Sequence, residues 1–372
     1  MTLTLPPLTP GPVRDYHASG KYPLYLYIFP ESTIQHSDIE RILELASWNV
    51  NPNTHAEGFE GGRSVLLSRE KPSLDNGITY NALQLSGIGY RKLKVSRTGN
   101  GSVKEPTFYP PSTKNFMEGL PPGAGGYTYP QGDKLIACCL SYTPLGTYRS
   151  DELFRKIQNT RAMSRLQHPA IPVPPVEAYG QYNHPELFHA GKPLGFLVLA
   201  HPHVATTRLQ ALLAQEARQV DFKSEPERFI SRGKELLLLL TKVLRELHTM
   251  GKVHLQPHFS NWYILNNTAV LTDWETLMTP NTPEEKILGQ SLDLGIVVRE
   301  YTNYFKQLFT GYPSEVHDLF KQFVAQQAIE AYAQHAGCAI PQLPDTSSFQ
   351  DQQGRFQEFE FFKRSMNIIE QG

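Results

Sequence analysis

The sequence predicts an α+β chain in two parts, strand-rich first and helix-rich second. Three observations carry that expectation. Short apolar runs crowd the first 200 residues: YPLYLYIF at 22–29, RSVLLS at 63–68, NALQL at 81–85, KLIACC from 134 and GFLVLA at 195–200. The longest helical pattern, Pro226 to Met250, lies beyond them, with Ile230, Leu237, Leu240, Leu244 and Leu247 forming one stripe. After it, from Leu247 to Leu277, polar residues surround short strand-like runs, an arrangement suited to mounting chemistry on loops.

In chain order, residues 1–20 are punctuated by Pro and Gly and read as an irregular arm. Residues 21–200 form the strand-rich part. Tyr22 to Phe29 is its first strand, Ser37 to Ala46 a short helix, and 63–68 and 81–85 two more strands. Ser86-Gly87-Ile88-Gly89 then makes a Gly-rich turn into a strand over Tyr90 to Ser96. Residues 97–132, rich in Gly, Pro, Ser and Thr, read as one long loop. Lys134 heads a further strand. Ser150 to Leu166 has helical spacing, with Ser150 at the N-cap and Asp151 and Glu152 in the first turn, where a helix dipole favours carboxylates.

Residues 201–340 form the helical part. Gly251 follows Met250 where a left-handed cap ends a helix. Tyr263 to Leu265 and Ala269 to Leu271 are paired strands, and Met278 to Gln290 a polar segment. Helices are expected over Val297 to Phe309 and Ser314 to Ala336. Residues 341–372 read as a linker ending in a docking segment, Phe356 to Phe362.

Composition narrows the partners. A formal net charge of -1 offers no electrostatic attraction for nucleic acid or an anionic membrane. No window is apolar enough to span a bilayer, and the opening residues lack the cationic start of a secretory signal. Three cysteines, Cys138, Cys139 and Cys338, fit neither a disulfide scaffold nor a zinc site, which suits a reduced, cytoplasmic protein.

The sharpest signal is the order His254-x-Gln256-x-His258-x-x-Asn261, followed twelve residues later by Asp273-Trp274-Glu275. It resembles the catalytic loop of protein-kinase-like phosphotransferases, most closely the aminoglycoside-phosphotransferase type. The resemblance implies a bilobal kinase-like fold binding ATP or another nucleotide. Asn261 and Asp273 would hold Mg²⁺, since hard cations take oxygen ligands. One position departs from the pattern. Gln256 stands where the family has its catalytic Asp, and an amide has no carboxylate with which to take a proton. His258 is the alternative base.

The same resemblance assigns the strand-rich part. Gly87 and Gly89 would cover phosphates. A Lys, with Lys92, Lys94 and Lys134 as candidates and Lys134 preferred, would contact them and pair with Glu152. The backbone from Ala200 to His203 would hold adenine. NALQLSGIGYRKL is also similar to selenoprotein-O-type adenylyltransferases, although Ser86 replaces their Lys and Ser260 the Asp that precedes their metal-binding Asn. The implied function is a nucleotide-binding pseudokinase, or a weakly active kinase. The competing readings are an active phospho- or adenylyl-transferase acting on a small-molecule or protein acceptor, and a non-catalytic interaction module.

Overall fold

A computed structural model describes residues 14–60, 62–91, 107–116, 118, 126–139, 142–219, 226–265, 267–305, 327–328 and 330–332. In chain order the main elements are β1 (Arg14–Ala18), β2 (Leu24–Ile28), α1 (His36–Ala46), β3 (Gly58–Glu60), β4 (Ser64–Asp75), β5 (Ile78–Ser86), β6 (Gly126–Gln131), β7 (Lys134–Cys139) and α2 (Ser150–Arg165). They continue with β8 (Val176–Tyr182), β9 (Gly195–His201), α3 (Leu209–Gln219), α4 (Pro226–Thr249), β10 (Trp262–Leu265), β11 (Thr268–Leu271) and α5 (Pro283–Phe305). The class is α+β, with a β-rich first part and a mainly helical second part. No helix among the described residues is long and apolar enough to cross a membrane.

The chain divides into two compact units. The first comprises 1–118, 142–162 and 174–205, and the second 119–141, 163–173 and 206–372. The strand-rich part expected over 21–200 is thus interrupted twice by segments that belong with the helices.

In the first unit a seven-stranded antiparallel sheet runs in the order β1-β2-β8-β9-β5-β4-β3. Alternation in β2 buries Leu24, Leu26 and Ile28 while Tyr25 faces out, as expected of a strand with one covered face. Central β9 is buried along its whole length, which accounts for its unbroken apolar sequence. Ile39, Ile42, Leu45 and Ala46 of α1 pack with these strand residues in one core. The arm expected over 1–20 needs correction: Arg14–Ala18 pairs with β2, Asp15 opposite Tyr27 and His17 opposite Tyr25. Residues 1–13 lie outside the described residues.

A buried ion pair inside this unit had no sequence signature. Arg69 reaches Glu177 at 2.6 Å, with the two side chains 0% and 2% exposed. Glu177 also accepts from Ser32 Oγ, Thr33 N and Thr33 Oγ1. Charges that far from water persist only when paired and hydrogen-bonded in this way.

In the second unit, α4 supplies Leu236, Leu237, Leu240, Val243, Leu244 and Leu247 to a core shared with α3, β10, β11 and α5. The polar segment expected over Met278–Gln290 is largely helix, because α5 begins at Pro283. Thr282 Oγ1 accepts from the Glu285 amide, Pro283 takes the first turn, and Leu288 and Leu292 are buried. The same helix runs through Val297 to Phe305; 306–326 lies outside the described residues, as does everything from 333 onward.

The other correction concerns the long loop. Residues 126–139 form the β6–β7 hairpin, turning at Gly132, and Leu135 and Tyr129 pack with Val253, Leu255, Leu288, Leu292 and Ile296. Glu285 pins the turn by accepting from the Gly132 amide at 2.9 Å and from the Asn281 amide at 2.7 Å. Burial would raise the Glu285 pKa, but these hydrogen bonds hold it below the usual carboxylate value.

Candidate functional site

The organising feature lies in the second unit, between α4 and α5. Gly251 takes a left-handed backbone (φ 70°) and ends α4 as expected. Val253 then pairs with Met278 through two backbone hydrogen bonds of 3.0 and 2.9 Å. Leu255 follows with φ 67°, a conformation that a γ-branched residue adopts only under constraint.

That constraint comes from Asp293 on α5. Its carboxylate accepts from the His254 amide at 2.8 Å and the Leu255 amide at 2.6 Å. It also meets His248 Nε2 at 3.0 Å, while His248 Nδ1 meets the Tyr332 hydroxyl at 2.6 Å. The His248 and Asp293 side chains are both 0% exposed. Charge-assisted hydrogen bonds of this kind contribute about 1.5–3 kcal/mol each, enough to hold one strained residue in place.

His254 is buried and works as a spacer. Its Nε2 donates to the Thr272 carbonyl at 2.9 Å, and its Nδ1 accepts from the Gln256 amide, an arrangement that requires the neutral Nε2-protonated tautomer. Burial lowers its pKa, against the raising influence of Asp293. Across the ring, Trp274 packs edge-on at 5.1 Å.

The expected metal pair is brought together. The Asn261 side-chain nitrogen donates to the Gln256 carbonyl at 2.9 Å, and the Thr272 amide donates to the Asn261 carbonyl at 2.8 Å. Asp273 follows at φ 61°, ψ 55°, at the end of the β10–β11 hairpin. A residue that sequence reasoning missed completes the group: Arg208, just before α3. Its Nη1 lies 2.5 Å from the Ser260 carbonyl, 2.9 Å from Asp273 Oδ2, 3.3 Å from Asn261 Oδ1 and 3.5 Å from Thr272 Oγ1. Its guanidinium also stands 5.6 Å from the Tyr263 ring centre.

A divalent ion therefore does not fit here as the chain is folded. The oxygens that would ligate it face a fixed cation. Unit and double charges about 4 Å apart repel by roughly 8 kcal/mol at an effective dielectric constant near 20. Among the described residues no cluster of three His, Cys, Asp or Glu side chains is arranged to hold a metal.

His258 points elsewhere. Its Nδ1 accepts from Arg299 at 3.1 Å, with Glu300 Oε1 3.5 Å away. Burial would raise the Glu300 pKa, but His258 and Arg299 hold it below the ordinary value. Gln256 is half-buried, its backbone engaged at both ends by His254 and Asn261.

The remaining expected site residues divide by unit. Lys134 is exposed on the β6–β7 hairpin of the second unit. Glu152 belongs to the first, where its carboxylate meets Arg63 at 3.5 Å and Arg63 stacks over Tyr148 at 4.1 Å. Arg63 is thus one cationic neighbour of Glu152 there. Lys92 and Lys94 lie outside the described residues.

After the Gly87–Gly89 turn the described chain does not fold back on β5. Strand β5 is flanked by β4 and β9, and after the turn Tyr90–Arg91 pairs with Phe108–Tyr109. A Cβ on Gly87 would lie 2.7 Å from the Tyr148 ring, and one on Gly89 2.4 Å from the Tyr109 carbonyl. These glycines serve close internal packing at positive φ. At the end of β9 the Ala200 amide donates to Pro175 and the Pro202 carbonyl accepts from Asn81, while His203 Nδ1 accepts from the Ala205 amide.

No protein-family model matches the chain, and no curated protein matches it in sequence. Solved structures do. One is the bifunctional kinase-methyltransferase WbdD, 16% identical over 58% of this chain and 41% of that one, with a TM-score of 0.30. Another is a rhoptry kinase from Toxoplasma gondii, 13% identical over 82% of this chain and 88% of that one, with a TM-score of 0.33. The chain spans 41% of the length of the first. Likenesses at this level carry nothing to site or activity, and the functional reading rests on the residues themselves.

Proposed function

We propose that this chain is a kinase-like protein that binds a nucleotide and transfers little or no phosphoryl group, a pseudokinase. The observation that carries the reading is the loop between α4 and α5. Asp293 anchors its backbone, Asn261 and Asp273 converge at its far end, and Gln256 occupies the position of the base. Phosphoryl transfer depends on positioning and on positive charge at the phosphates. The loop retains the positioning, whereas the proton acceptor is an amide.

His258 is the other candidate base, and its Nδ1 is already engaged by Arg299 and Glu300. An active phospho- or adenylyl-transferase is the competing reading. Ser260 counts against its selenoprotein-O-type form, offering a hydroxyl where that mechanism needs a carboxylate.

The test pairs binding with turnover. ATP, GTP and ADP are titrated in a thermal-shift series, and transfer from γ- and α-labelled ATP is followed in parallel. A nucleotide at a hundredfold excess over its Kd should stabilise the protein by about 2.7 kcal/mol. Stabilisation without label transfer is expected. Label transfer by the wild-type chain that disappears in Asp273→Ala would replace the pseudokinase reading with the enzymatic one.

A further inference from the structure

Four oxygens converge on one nitrogen at the end of the α4–α5 loop. They are the Ser260 carbonyl, Asn261 Oδ1, Thr272 Oγ1 and Asp273 Oδ2, all within 3.5 Å of Arg208 Nη1. A nitrogen bearing two hydrogens cannot donate well to four acceptors at once, so the cluster acts chiefly as an oxygen cage around positive charge. Two of its side chains have partners other than the arginine. Asn261 is oriented by the Gln256 carbonyl, Thr272 is tied to Asn261 through its amide and hydroxyl, and Asp273 is held at φ 61°. An oxygen cage of this kind is the surrounding that hard cations select, and a guanidinium is charged at every working pH.

We infer that Arg208 takes the place of a divalent cation, so that the site holds no metal ion and nucleotide binding needs none. The inference rests on the kinase-like reading for the identity of the ligand, but its account of the cage stands apart from it. With Asp273 neutralised internally, a divalent ion gains one carboxylate only by displacing the arginine. Removing the guanidinium should unmask the cage.

Mn²⁺ alone is the probe, its free six-line EPR signal recorded against the full-length protein. Wild type should leave that signal intact. Arg208→Gln should retain about one equivalent of Mn²⁺, tightening affinity by about tenfold or more, and Arg208→Gln combined with Asp273→Asn should lose it again. Wild-type Mn²⁺ binding that Asp273→Asn removes would overturn the inference, as would the absence of binding by a folded Arg208→Gln. Should that variant fail to fold by circular dichroism, the wild-type chain still decides the matter. Its ATP affinity should agree within about twofold between Mg²⁺ and chelator, and a requirement for Mg²⁺ would overturn the proposal. An ATP response absent under both conditions would instead remove the nucleotide-binding reading, leaving the Mn²⁺ result to judge Arg208.

Discussion

Asp293, reaching in from α5, and Asp273 serve opposite ends of one loop, and they do different work. The Asp293 side chain is 0% exposed and holds two backbone amides and a histidine. Asp273 is 20% exposed and holds the guanidinium of Arg208, itself 16% exposed. Removing the first carboxylate strands groups that nothing else can satisfy. Removing the partner of the second leaves a carboxylate that water can reach. The loop is therefore rigid and enclosed where it meets the core, and partly open to solvent where its functional atoms gather, a division suited to binding.

The largest expected effect tests the rigid end. Asp293→Ala should destabilise the protein by about 3–5 kcal/mol in urea unfolding, the usual loss when a buried charge network loses one member; a loss below about 1 kcal/mol would abolish the distinction. Arg208→Ala should cost about 1–2 kcal/mol in the same assay, discounted because both partners reach solvent. Equal losses at the two ends would break the comparison.

A pH series sharpens it further. His254 is neutral in the fold, with its pKa depressed by burial. The unfolded chain therefore binds more protons than the native one once pH falls below about 6.5. Stability should decline from that point toward acid by at most about 1.4 kcal/mol per pH unit from this residue, and His254→Gln should flatten that part of the profile. Gln256→Asp should have the smallest effect, within about 0.5 kcal/mol, because the position is only half-buried. It should also give no label transfer while Arg208 remains, and a clear gain in transfer from this single change would show that the far end is less occupied than its geometry implies.

The α+β class, the helix ending at Gly251 and the hairpin at 262–271 were legible in the sequence, because periodicity and short-range motifs encode them. Arg208 was not. It belongs to the run VATTRLQ, and no local pattern marks an arginine whose partners lie 52 to 65 residues away. The same holds for Arg69, whose buried partner is 108 residues distant. The start of α5 is a different kind of miss. Thr282-Pro283-Glu284-Glu285 is a recognisable helix start, but the polar residues around it obscure Leu288 and Leu292, which α5 buries. The Gly87–Gly89 turn was read for its glycines alone, although the cause lay in neighbours such as Tyr148 and Tyr109 that close in space, not in sequence.

The β6–β7 hairpin also bears on how the chain is made. Every segment of the first unit has been synthesised by residue 205. The hairpin at 126–139, however, needs Leu288, Leu292 and Ile296 of α5 to bury its apolar residues. Those residues leave the ribosome roughly 150 positions later, a delay on the order of 10–30 s at usual elongation rates. Throughout that interval Tyr129 and Leu135 lack the helix that covers them, so chaperone capture during translation should concentrate on this hairpin, and a nascent chain stalled before residue 283 should be the form most prone to aggregate.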